Sequence, residues 1–241
     1  MSEPLPDAPT LPPPERRWRT FLRANRFFLT GIVLLLLFNT YLLLTNNQGD
    51  LLVSINKLRS PGWDAFFING TRLGEPAAYV VVALAFSAVR YRTALFAVFC
   101  GAAAGILTAI LKSIFGEARP MRWFFDNYLD VWYSLNLFDE NMRNWGFSSF
   151  PSGHSASAFA LYGFVCFNVR RPKRLISILC FLLALTVGFS RLYLLFHFLR
   201  DVTVGALLGV LIATALYFLQ FKFFPSHAWL DRGWWPRKHR P

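Results

Sequence analysis

A chain of 241 residues with 55% hydrophobic and only 16% charged side chains is too apolar for a soluble domain, which carries about 25% charged residues. Its formal net charge of +12 suits either nucleic acid or anionic lipid, but Lys and Arg stand in short clusters between apolar runs. That pattern argues against a nucleic-acid surface and for orientation in a membrane. Cys100, Cys166 and Cys180 all lie inside apolar runs and read as packed thiols, not as a disulfide framework.

In chain order, residues 1–26 are Pro-rich and then basic. They read as a disordered cytoplasmic tail followed by a juxtamembrane segment whose Trp18, Phe21 and Leu22 let it lie along the interface. Residues 27–224 form one all-α membrane domain, and its spans are set by apolar runs near the ~20 residues that cross a bilayer. Phe27–Leu44 is the first span. Thr45–Glu75 mixes charges with apolar residues and reads as amphipathic helix at the membrane surface. Pro76–Val89 is the second span, short for the task. Thr93–Phe115 is the third, with a Gly/Ala stretch at 101–105 that permits close helix contact. Gly116–Ser152 is a long polar and aromatic connection. His154–Val169, Leu175–Phe189 and Asp201–Phe221 complete six transmembrane helices. Residues 225–241 are a basic, aromatic tail.

The basic clusters near the N-terminus, at Arg90/Arg92, at 170–174 and at the C-terminus alternate so as to share one side of a six-span topology. The positive-inside rule makes that side, and both termini, cytoplasmic. The same parity brings three polar segments together on the outer face: Lys112–Arg119, Ser152–His154 and Ser190–Asp201.

Those segments carry chemistry that a membrane domain holds only for a reason. Lys112 and Arg119 offer a point charge and a planar fork to phosphate oxygens. In Pro151-Ser152-Gly153-His154, Ser152 is a candidate helix N-cap. Gly153 lets backbone N–H groups approach an anion at a helix N-terminus, and His154 stands at the mouth. In Ser190-Arg191 followed by His197-x-x-x-Asp201, the histidine and aspartate share a helix face. The carboxylate then holds one ring nitrogen and leaves the other as a nucleophile. Arg200 reads as a rim or snorkelling residue.

Together, Lys112-x6-Arg119-Pro120, Pro151-Ser152-Gly153-His154 and Ser190-Arg191-x5-His197-x3-Asp201 resemble the three-part signature of the type 2 phosphatidic acid phosphatase superfamily, in its integral-membrane lipid phosphatase branch. The resemblance implies that His197 attacks phosphorus to form a phosphohistidine, that Asp201 orients it, and that His154 protonates the leaving oxygen and later activates water. It implies that Lys112, Arg119, Ser152, Gly153, Ser190 and Arg191 hold the phosphate, with no metal and no cofactor. One departure is visible: relatives often carry proline two residues after the nucleophile, where this chain has Leu199.

The implied activity is hydrolysis of a lipid phosphate or diphosphate at the outer, periplasmic face of a bacterial inner membrane. Undecaprenyl diphosphate, phosphatidylglycerol phosphate, phosphatidic acid and lipid A phosphates are the candidate substrates. The competing readings are a lipid phosphotransferase using the same site and a non-enzymatic phosphate-binding membrane protein. The partners expected are the lipid phosphate and the bilayer, without nucleic acid. Vanadate is expected to inhibit and EDTA to leave activity intact. Trp123, Phe124, Phe125, Trp132 and Tyr133 are expected to line a lateral portal for the lipid.

Overall fold

A computed structural model describes residues 14–137, 145–170, 172–222 and 229–235. Among these residues every regular element is helical. Four stretches are long and apolar enough to cross a membrane: Arg26–Thr45, Tyr91–Asn127, Lys173–Tyr193 and Leu199–Lys222. A fifth arises if Pro61–Gly74 and Pro76–Val89, which meet at a 57° bend, are one broken span. The four helices that position the site are α6 (Tyr91–Phe115), α9 (Gly153–Asn168), α10 (Lys173–Tyr193) and α11 (Leu199–Lys222).

Helix α9 has only 16 residues, about 24 Å at 1.5 Å per residue, and falls short of a lipid-facing span. Its role explains its length. It is the buried centre of the bundle, packed against α6, α10 and α11. Small residues make that packing close. A side chain at Gly205 of α11 would strike the Ser152 carbonyl at 2.6 Å, and one at Gly209 would strike the Ala156 carbonyl at 2.4 Å. Tyr79 and Tyr162 bind helix α9 to the preceding segment through the Ser157 and Leu73 carbonyls, at 2.7 and 2.9 Å. Asn39 of the first long helix donates to Thr203 of α11 at 2.9 Å.

Three segments differ from the sequence expectation. Pro14–Ala24, within the stretch expected to be a disordered tail and interfacial segment, is a helix. Its Phe21 is buried against Phe167, Tyr217 and Phe218. The Thr45–Glu75 stretch divides into helices Asp50–Asn56 and Pro61–Thr71 and a 3₁₀ turn at Arg72–Gly74. The 116–152 connection contains helices Pro120–Asn127 and Leu129–Ser134.

The C-terminal segment is also tied down. Tyr91 and Arg92 donate backbone bonds to Arg232 and Leu230, and Trp234 and Trp235 to Ser87 and Ala88. The lock is Arg92, 1% exposed, whose guanidinium reaches both oxygens of Asp231 at 3.1 and 2.9 Å and the Gln220 carbonyl at 2.6 Å. Removing one partner of a buried pair leaves a charge uncompensated, which costs about 3–5 kcal/mol when both are buried. Because Asp231 is partly exposed, Asp231→Asn is expected to cost about 2–3 kcal/mol. Thermal unfolding in detergent and proteolysis at the C-terminus report that loss; an unchanged midpoint would show that Arg92 is compensated without Asp231.

Candidate active site

Helix ends converge here, and three of them present the charge their dipole favours. Lys112 lies in the last turn of α6 and Arg191 in the last turn of α10, where cations are stabilised. Asp201 lies in the first turn of α11, where an acid is stabilised. Ser152 caps α9, its hydroxyl accepting from the Ser155 N–H at 3.4 Å and from the Ser155 hydroxyl at 2.9 Å. His154 follows two residues later in that first turn. The two N-termini are sewn together by the Ser152 N–H, which donates to the Asp201 carbonyl at 3.0 Å. A helix N-terminus is an anion site by construction. Gly153 keeps this one open: a side chain there would reach only Thr108, at 3.6 Å.

Asp201 is fully buried and held on several sides. Its Oδ2 accepts from the Ser149 hydroxyl at 2.5 Å and from the Phe198 N–H at 3.0 Å. The second bond is half of a capping box, in which the third residue of a helix reaches back to the N-cap amide. The same oxygen stands 3.5 Å from His197 Nδ1, at the outer edge of hydrogen-bond distance, and Nδ1 makes no well-formed bond. Such contacts often tighten only once substrate is bound. His197 is 2% exposed and precedes the helix, so the local chain, not a shared helix face, sets its distance from Asp201. Burial pushes its imidazole down to about 4, with the nearby Arg191 and Arg119 adding to the effect and Asp201 opposing it. At neutral pH it is therefore the free base, the form with a lone pair to donate.

The turn before His197 is unusual. Leu195 has a left-handed backbone, φ 56°, that ordinary residues adopt at a cost of about 1–2 kcal/mol. It lets the Phe196 and His197 N–H groups both donate to the Arg191 carbonyl, at 3.0 and 3.2 Å. The nucleophile candidate is thereby anchored to the arginine it would work beside. Arg191 is 5% exposed. It donates to the Thr71 hydroxyl at 2.7 Å and lies over the Phe196 ring at 4.4 Å, while its Nε is buried without a hydrogen-bond partner.

Lys112, Arg119, Arg191 and His197 all lie within electrostatic range of His154, and Asp201 acts on both Lys112 and Arg119. The three sequence-distant segments are thus one cluster. Lys112 and Arg119 do not share a continuous helix: Gly116, at φ 56°, ends α6, and Arg119 is the N-cap of the next helix. Ser148 accepts from Arg119 at 3.2–3.3 Å. Ser190 is buried and its hydroxyl donates to the Val187 carbonyl at 2.7 Å, within its own helix. Arg200 pairs with Glu117 and stands 3.6 Å from Asp201 Oδ1.

Sequence reasoning missed Ser149, Thr71 and Ser148, which hold Asp201, Arg191 and Arg119. It also missed Glu75, whose carboxylate lies 3.9 Å from His154 Nε2. Seryl and threonyl residues in loops carry no local signal of such partners. The adjacent Ser148-Ser149 pair just before Pro151-Ser152-Gly153-His154 was the cue within reach. Of the loop aromatics expected to line a portal, Phe124 is buried, Phe125 and Tyr133 are exposed, Trp123 packs on Tyr128 and edge-on against Phe198, and Phe125 packs on Trp132 and Trp145. Trp123 thereby braces the residue that follows His197. A large apolar groove of about 810 Å³ opens elsewhere, between Pro76–Val89 and α6, and its inner end reaches Thr108, Gly153 and Ser157.

Known proteins resemble this chain in sequence and in fold. The chain is 29% identical over 191 residues to a lipid A 4′-phosphatase of Bacteroides thetaiotaomicron, covering 74% of this chain and 79% of the relative. It is 37% identical over 71 residues to phosphatidylglycerophosphatase B of Bacillus subtilis, covering 27% of this chain and 35% of that one. The crystal structure of Aquifex aeolicus LpxE superposes with a TM-score of 0.57 at 27% identity, covering 70% of this chain and 93% of the other. A Bacillus subtilis PAP2-type phosphatidylglycerolphosphate phosphatase shares the fold, with a TM-score of 0.56 at 24% identity over 81% of this chain and 96% of that one. The family model of the PAP2 superfamily matches residues 93–225, from the start of α6 to beyond the end of α11 and so across every residue of the cluster. This chain, an integral membrane protein built of apolar helices, belongs to the PAP2 superfamily.

Proposed function

We propose that the protein is a metal-independent lipid phosphate phosphatase that works through a phosphohistidine on His197. The observation that carries this reading is the pairing of a buried, uncharged His197 with the fixed carboxylate of Asp201 beside three cations and a second histidine. A phosphate-binding protein has use for the cations but not for a desolvated nucleophile. In this reading Nε2 attacks phosphorus in line while Asp201 stabilises the imidazolium that forms. His154 gives a proton to the leaving oxygen and then takes one from the attacking water. Lys112, Arg119 and Arg191, with the Ser152–Gly153 amides at the α9 N-terminus, neutralise the equatorial oxygens, the part that metal ions play in other phosphoryl-transfer sites. Ser190 serves as a wall of this site. Its hydroxyl hydrogen is already committed.

The apolar groove supports a lipid as the substrate. Its lining runs along α6 from Thr108 to Ala94, about 21 Å, which is most of the way through a ~30 Å hydrocarbon core. A phosphate at Gly153 and an acyl chain in this groove occupy one continuous space. The side of the reaction follows from charge. Arg90, Arg170 and Lys173 line one cavity at the opposite end of the bundle, and the 229–235 segment packs beside Arg92 there. Taking that end as cytoplasmic puts the site on the outer face of a six-span protein, with Pro76–Val89 and α9 completing the count.

The test is phosphate release by purified protein, in EDTA, from long-chain lipid phosphates and from a short soluble phosphate ester. Release from the lipids is expected. Phosphate binding without release supports the non-enzymatic reading, and transfer to an added lipid acceptor supports the phosphotransferase. Gly105→Phe fills the groove without a backbone clash, since a side chain there meets nothing within 4 Å. It is expected to raise KM for long-chain lipids at least about tenfold, the effect of losing a few buried methylenes, and to spare the short ester. Equal losses on both substrates would remove the groove from the account.

A further inference from the structure

At the far end of α9 from His154, about 21 Å away along the helix, lies a second cationic cavity of about 240 Å³. Arg90, Arg170 and Lys173 line it, together with the carboxamides of Asn25 and Asn168 and the ring of Tyr217. It adjoins a more open cavity of about 410 Å³ that shares Arg90, Asn168 and Arg170. Among the described residues no carboxylate lines either one, and Asp231, outside both linings, stands 3.5 Å from Arg90 Nε. The walls are held by bonds made elsewhere. Asn25 is 1% exposed and donates to the Phe21 carbonyl at 2.9 Å. Asn168 donates to the Phe164 carbonyl at 2.9 Å and accepts from Gln220 at 3.0 Å. Lys173 Nζ donates to the Cys166 and Val169 carbonyls that end α9, which leaves a third N–H and a full positive charge.

A surface cluster of cations would suffice to orient a membrane protein. Cations closing on a concave space with amide donors and an aromatic wall, one of them, Arg90, paired with Asp231 outside the lining, do more: they raise the local potential for an anion. We propose that this cavity is a binding site for a phosphate-bearing anion, separate from the active site. The ligand chemistry is a phosphate whose oxygens meet Arg170, Arg90 and Lys173. It can be delivered by an anionic lipid of the leaflet facing this end or by free phosphate. The site fastens Val169, Arg170 and Lys173 to the ends of α1, α5 and α11, where α1 is Pro14–Ala24 and α5 is Pro76–Val89. Because α9, α10 and α11 also carry His154, Arg191 and Asp201 at their other ends, its occupancy stabilises the same helices that build the catalytic cluster.

The experiment uses the full chain in neutral detergent without vanadate, which as a phosphate mimic would compete at both sites; a shift that persists in the variants below belongs to the active site. Thermal unfolding is followed while phosphatidylglycerol, phosphatidylcholine or inorganic phosphate is added. Phosphatidylglycerol is a diester, so monoester hydrolysis does not consume it. A saturable rise in Tm with phosphatidylglycerol but not phosphatidylcholine is expected. Its apparent affinity should fall at least about tenfold in Arg170→Gln/Lys173→Gln, the scale of losing charge-assisted hydrogen bonds, while vanadate inhibition is unchanged. If the double variant does not fold, Arg170→Gln alone, at an exposed position, is expected to give a smaller loss in the same direction. A matching phosphate-induced rise, lost in the same variants, shows that the free anion suffices. A rise with lipid alone assigns the lipid form. Equal phosphatidylglycerol affinity in the variants and wild type, equal shifts with phosphatidylcholine, or no shift with either anion would overturn the proposal.

Discussion

His197→Ala is expected to reduce phosphate release by at least about 10⁴-fold, the scale on which nucleophile removal acts elsewhere. No other residue in the cluster can take its place. His154, the other histidine, sits in the first turn of α9, with Glu75 3.9 Å from its Nε2. His197 alone faces Asp201. The side chain is buried, so the variant leaves a cavity of imidazole size, and thermal unfolding must show that the bundle survives before the kinetics are read. The decisive readout is covalent. Wild type quenched during turnover should retain acid-labile, base-stable phosphate, and His197→Ala should retain none. Near-normal release by a folded variant would sink the mechanism while leaving the family membership untouched. The depressed pKa of His197 adds a second check. Its free base is the active form and predominates above about 4, so activity is expected to hold as pH falls through 6.5, the ordinary histidine value. An acid limb of the free enzyme near 6.5, after allowance for the substrate's own phosphate titration, would mean that His197 is not desolvated.

How far the sequence was legible follows a physical line. Charged and polar residues in an apolar background stand out, because each is costly there. Lys112, Arg119, His154, Arg191, His197 and Asp201 were visible for that reason, and the fold brings them into one cluster. What fixes them was not visible. Thr71 meets Arg191 across 120 positions and Ser149 meets Asp201 across 52, and ordinary hydroxyls in loops announce no such partners. Span limits blurred wherever a helix is covered by protein and not by lipid. Helix α9 needs no 20-residue apolar run because its neighbours enclose it, and Pro76–Val89, short alone, meets the Pro61–Gly74 segment at a 57° bend. The Pro14–Ala24 helix was hidden by its Pro- and Arg-rich composition. The spacing of Trp18, Phe21 and Leu22 was the signal, and Phe21 is the residue that docks. The aromatic connection reads from sequence as an interfacial belt, and its composition gives no sign that Trp123 also packs on Phe198 beside His197.

Asp201→Asn is expected to lower kcat by about 10³–10⁴-fold, in line with losing the carboxylate of a histidine–acid pair. Two jobs of Asp201 must be separated. As the cap of α11 it accepts from the Phe198 amide and the Ser149 hydroxyl, and the Asn oxygen can keep those bonds, so the stability loss should stay within the ~1 kcal/mol typical of a cap. As the partner of His197 it supplies a negative charge that Asn lacks. With the Asn oxygen in the Oδ2 position, Nδ1–H still faces an acceptor, so what is lost is the charge that stabilises the imidazolium as it forms. The loss should therefore fall on phosphorylation of the enzyme, measured in a single turnover, with little change in the KM of lipid phosphate. Ser149→Ala offers a graded comparison. It removes one bond to Oδ2 but keeps the charge, and about a tenfold loss in kcat is expected from one charge-assisted hydrogen bond. If Asp201→Asn and Ser149→Ala cost the same, or if both act only through thermal stability, Asp201 is a helix cap and the nucleophile draws its orientation from the Arg191–Phe196 turn instead.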